Sequence, residues 1–104
     1  MKIPELKSGQ WLFIRVDGQE EPMDGKPTIG KVYRHIDAEC CDSVTLTFGK
    51  DRQAEIVMLV DDTGMLDGKP VNEKATALYH MRCKPGTIHA IHGDVAIILD
   101  SDFA

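Results

Sequence analysis

Ile56-Val57-Met58-Leu59-Val60 is an unbroken apolar run, closed by Asp61-Asp62-Thr63-Gly64. A run this short, rich in β-branched residues and without a polar face, reads as a strand covered on both sides. Val95–Leu99 is equally apolar and has the character of a central strand. Whatever else the chain forms must cover these two segments.

The remaining elements follow from periodicity. Trp11–Val16 reads as a strand ended by Asp17-Gly18. Gln19–Pro27 holds Glu20, Glu21, Pro22, Asp24 and Gly25 and reads as a solvated loop. Ile29, Val32, Tyr33 and Ile36 recur at helical spacing and predict a short helix over Thr28–Ile36, with Thr28 as its cap and Gly30 against it. Val44, Leu46 and Phe48 alternate with threonines, the pattern of a half-buried strand. Asn72–Met81 predicts a second helix, capped by Asn72, with Glu73 at its positive end and Ala75, Leu78 and Tyr79 on its apolar face. Thr87–Ile91 and Val95–Leu99 complete the reading as two strands around His92-Gly93-Asp94.

The order is strand, helix, strand, strand, helix, strand, strand. It predicts one small α+β domain over residues 1–104, with two helices on a mostly antiparallel sheet and a ferredoxin-like sandwich as the first arrangement. Met23-Asp24-Gly25-Lys26-Pro27 recurs as Leu66-Asp67-Gly68-Lys69-Pro70, which suggests two similar halves, 11–50 and 55–94. Coincidence between two loops is the plainer reading of their ancestry. Val95–Leu99 conflicts with the ferredoxin-like order, which would put that apolar strand at an edge.

Charge narrows the function. The 104 residues carry 12 basic and 17 acidic side chains, a formal charge of −5 and a pI near 5.2. A binder of nucleic-acid backbones shows the opposite sign. No apolar stretch approaches 18 residues, so no membrane helix is expected. MKIPELKSGQ lacks the apolar core of a secretory leader, and three cysteines are an odd count, so a reducing cytoplasm is the expected compartment.

The second half has a familiar pattern. Asp62-Thr63-Gly64-Met65-Leu66-Asp67-Gly68-Lys69-Pro70-Val71-Asn72 is followed by Ala75-Thr76-Ala77-Leu78-Tyr79 and then by Ile91-His92-Gly93-Asp94-Val95. Over Ile56–Leu99 this resembles the domain of unknown function 3846, a family of small phage and mobile-element proteins. The Pro-x-Asn step and the Ala-Thr-x-Leu-Tyr helix carry the resemblance. It implies an accessory protein acting inside a bacterial host cell, and it brings no assigned reaction or catalytic residue.

Asp61, Asp62, Lys69, Asn72, Thr76 and Asp94 are the candidate ligand- or partner-binding residues. Three have a plainer structural reading as well: Asn72 as a helix cap, Lys69 in a turn and Asp94 in a hairpin turn; Thr76, a mediocre helix former, offers a hydroxyl to a ligand or partner. His80, Cys83, His89 and His92 supply the four ligands of a tetrahedral zinc site, but not at a zinc-finger spacing. His89 and His92 on one strand would face opposite sides, so scattered imidazoles are the plainer reading. Cys40-Cys41 point apart on a strand, and nothing orients His35 as a base for either. No phosphate-loop, dinucleotide or metalloprotease motif occurs, and no cofactor is implied.

The leading expectation is therefore a non-enzymatic binding protein or inhibitor of a host defence or nucleic-acid protein. The acids, grouped in turns, would form its interaction face. The alternatives are a nucleotide or small-ligand module, with an anion held at a helix N-terminus near Lys69, Asn72 and Thr76, and a homodimer. No direct contact with nucleic acid or membrane is expected.

Overall fold

The computed structural model describes Leu6 and residues 9–25, 27–38, 41–47, 56–81 and 89–99. In chain order the elements are β1 (Gln10–Ile14), β2 (Glu20–Asp24), α1 (Ile29–Ile36), β3 (Cys41–Thr47), β4 (Ile56–Asp61), α2 (Glu73–His80) and β5 (Val95–Leu99). The strands form one antiparallel sheet in the order β2-β1-β5-β4-β3. The two apolar runs, β4 and β5, lie side by side in its middle, and every residue of both is buried.

Alternation along the strands sorts the core into two layers. Trp11, Phe13, Val57, Leu59, Ala96 and Ile98 face Val32 and Ile36 of α1. Ile14, Met58, Val60, Val95 and Ile97 point the other way, with Ala75 and Leu78 of α2. The helices thus cover opposite faces of a single α+β domain, which is why neither β4 nor β5 keeps a polar side.

The ferredoxin-like expectation is corrected on two counts. Its helices would share one face, and its last strand would form an edge; here β5 is inserted between β1 and β4. The conflict noted for Val95–Leu99 is resolved by this central place.

The loop expected over Gln19–Pro27 is also corrected, because Glu20–Asp24 is a strand. It pairs with β1 through a tight turn in which Gly18 has φ 91° and Asp17 Oδ1 accepts from the Gln19 N–H at 2.9 Å. Its acids and Pro22 are tolerated because β2 is an edge, where a missing N–H and a charged rim cost little. At the other end of the chain, His89–Ile91 are not in a strand, contrary to the expected strand Thr87–Ile91; Thr87 and Ile88 lie outside the described residues. His92 makes an isolated bridge to Val71.

Both helices begin where expected. Thr28 Oγ1 accepts from the Lys31 N–H at 3.3 Å, and Asn72 Oδ1 accepts from the Ala75 N–H at 3.1 Å. α1 stops at Asp37, which takes a left-handed conformation at φ 53°. Among the described residues no helix is long and apolar enough to cross a membrane.

Candidate functional site

One end of the sheet collects the ends of β1 and β4, the starts of β2, β3 and β5, the end of α1 and the start of α2. The loop from Asp61 to Asn72 fills it, and its backbone is tied to itself. Gly64 N–H donates to Asp61 O, Asp67 N–H to Thr63 O, Gly68 N–H to Met65 O, and Lys69 N–H to Gly64 O, at 2.9–3.2 Å. The Thr63 hydroxyl lies 3.2 Å from Asp61 Oδ1 and 3.0 Å from Asp67 Oδ2. Gly64 is obligatory for packing, since a Cβ there would lie 2.7 Å from the His92 carbonyl oxygen.

Lys69 anchors this loop to the fold. Its ammonium donates to the carbonyls of Ile36 and Asp37, the negative end of α1, and contacts Asp61 Oδ2. Asp61 is almost wholly buried, and its Oδ1 also accepts from the Thr63 N–H at 3.0 Å. Oδ2 has no aligned hydrogen bond, so the Lys69 charge at 2.5 Å is what compensates it. Burial pushes the Asp61 carboxyl up, but Lys69 and the Thr63 donors outweigh burial and hold it below its ordinary value.

Asn72 is fully buried and joins three segments. Its Nδ2 donates to Ile14 O and Gly93 O, both at 3.1 Å, while Oδ1 caps α2. Thr76 Oγ1 accepts from the Ile91 N–H at 2.9 Å, and Asp94 Oδ1 accepts from the Val16 N–H at 2.9 Å. The structure therefore brings Asp61, Lys69, Asn72, Thr76 and Asp94 to the same end of the molecule, each bonded to a neighbouring segment. Asp62 is exposed beside them.

Two histidines of the candidate zinc set are engaged elsewhere. His80 Nε2 lies 2.6 Å from His89 O and His92 Nδ1 2.8 Å from Lys69 O; each nitrogen facing a carbonyl must carry the proton. Cys83 lies outside the described residues, among which no three His, Cys, Asp or Glu side chains are grouped to hold a metal. His35 packs edge-on against Trp11 and Phe13, with Nδ1 on Lys31 O.

Met65 and Leu66 lie outside the candidate binding residues of the sequence. They stand at the crest of the tied loop, 69% and 82% exposed. Met65 borders a hollow of about 510 Å³ that also touches Asp42, Asp62 and His89. Leu66 borders another, about 670 Å³, with Asp37 and Asp67. The signal that finds them is two large apolar residues between Thr63-Gly64 and Asp67-Gly68, inside a segment otherwise composed like a solvated turn.

Compared with protein families, curated proteins and solved structures, the chain matches none.

Proposed function

We propose that the chain is a small non-enzymatic binding protein whose contact element is the Asp61–Asn72 loop. The reading fits an accessory protein of the phage and mobile-element type, acting on a host protein in the bacterial cytoplasm. One observation carries it: Met65 and Leu66 are exposed on a loop held by four backbone hydrogen bonds. A loop whose backbone is already tied loses less freedom on association, and its exposed apolar side chains gain by entering a partner's pocket. Asp37, Asp42, Asp62 and Asp67 are exposed around the two hollows, while the nearby Lys69 charge is taken by Asp61. The complementary partner presents an apolar pocket rimmed by Lys and Arg.

The nucleotide or small-ligand reading is the weaker one. It needs Lys69 and the first turn of α2, yet the ammonium is bonded to Asp61 and α1, and Asn72 already caps the helix.

The test compares the immobilised wild-type chain with Leu66→Asp in bacterial lysate at rising salt. A host protein retained by the wild type, released by salt and bound at least about tenfold more weakly by the variant supports the proposal. Both chains should melt at the same temperature, because Leu66 is exposed. Identical retention by the two chains overturns the proposal. Stabilisation by a nucleotide, equal in both, would favour the ligand reading instead.

A further inference from the structure

The two edges of the sheet differ in kind. β2 carries Glu20, Glu21, Pro22 and Asp24, a composition that repels a further strand. β3 reads Cys41-Asp42-Ser43-Val44-Thr45-Leu46-Thr47, with one charge and four β-branched or leucine side chains. Leu46 is buried and Val44 packs on the core, so one face of the strand is covered, while Ser43 on the other face is exposed. On its outer side it borders no other strand of the described sheet. The ladder to β4 is regular from Cys41 to Thr45 and shifts register between Thr45 and Thr47, so the flat part of the edge is Cys41–Thr45.

We infer that β3 is a self-association edge, on which a second copy of this chain pairs its own β3 in antiparallel fashion. The charge pattern selects this occupant. A twofold axis through Ser43 sets Ser43 against Ser43, Asp42 against Val44 and Cys41 against Thr45, so no like charges oppose. Pairing β3 with another copy's β2 would meet Pro22 and three acids, which blocks open-ended growth and leaves the closed dimer. A five-residue strand pair is smaller than a standard interface, so the dimer is weak and depends on concentration. Each protomer carries −5, so salt strengthens the pairing, the reverse of its effect on a basic-rimmed partner at the Met65–Leu66 loop.

Sedimentation of the full chain over a wide concentration range, at low and high salt, tests this. The expected result is a shift from the 11.5 kDa chain mass towards twice that value, favoured by salt. Ser43→Lys, at an exposed position, should abolish the shift by setting two ammonium groups face to face without lowering the melting temperature. Hydrogen exchange of the wild type provides a readout independent of any variant: amides in Cys41–Thr45 should gain protection with concentration, and those in Glu20–Asp24 should not. A monomer at every concentration overturns the inference. So does a dimer that Ser43→Lys leaves intact, or protection that does not change with concentration.

Discussion

The two Asp-Gly-Lys-Pro segments share a sequence and a glycine of positive φ but little else. Gly25 and Gly68 both have positive φ, 94° and 75°, and a Cβ on either would meet open space. Beyond the glycines the segments part. Pro27 is buried and leads directly into the exposed cap Thr28, which makes one bond of 3.3 Å. Pro70 is exposed, and the cap that follows it, Asn72, is fully buried with three bonds. The first segment leaves an edge strand; the second locks the end of one helix to the start of the other through Lys69. A short motif thus specifies a glycine of positive φ, while the surrounding sheet decides what the segment supports.

The largest expected effect lies in the second segment. Lys69→Met strands the buried Asp61 carboxylate and should cost about 3–5 kcal/mol at neutral pH, read by denaturant unfolding. The pH dependence has a definite sign. In the wild type the Asp61 pKa is lower folded than unfolded, so its contribution is present above about pH 4 and is lost as pH falls through the folded value. Without Lys69 the carboxyl titrates at higher pH, so the cost of the substitution should shrink on acidification. A cost independent of pH would show that the ion pair is not what joins the loop to α1.

The caps come next. Asn72→Ala leaves two carbonyls and an N–H unpaired in the interior and should cost about 3 kcal/mol. Thr28→Ala removes one exposed cap and should cost about 1 kcal/mol. Equal losses in thermal or chemical unfolding would break the contrast between the segments. The smallest effect tests what they share: Gly25→Ala and Gly68→Ala each put a Cβ at a strained positive φ in open space, so each should cost about 1 kcal/mol. Unequal values would mean that the segments differ in more than their surroundings.

Where periodicity was strong, the fold was legible. The stripe over Thr28–Ile36, the cap at Asn72 and the apolar run Ile56–Val60 each name an element that the structure contains. β2 was not legible, because Glu20-Glu21-Pro22-Met23-Asp24 has no apolar face: its place at an edge follows from pairing with β1, a tertiary fact. The run Val95–Leu99 already contradicted a ferredoxin-like order. What it could not reveal is that the two helices take opposite faces, since each helix shows one stripe whichever side it covers. At the candidate site, Asn72 was legible as a cap. The contact of Lys69 with α1 was not, because it joins residues more than thirty positions apart. The prominence of Met65 and Leu66 was equally hidden, since exposure belongs to the folded loop and not to the residue type.

The central position of β5 sets an order on biosynthesis. β1–β2 and β3–β4 are hairpins made from neighbouring stretches, and each can form as it leaves the ribosome. The seam between them closes only when residues 95–99 arrive, pairing Leu12 with Ile97 and Met58 with the same residue from the other side. Until then the inner edges of β1 and β4 lack their partner and the apolar faces of β4 are incompletely covered, so the nascent chain is most exposed to mispairing before β5 joins them.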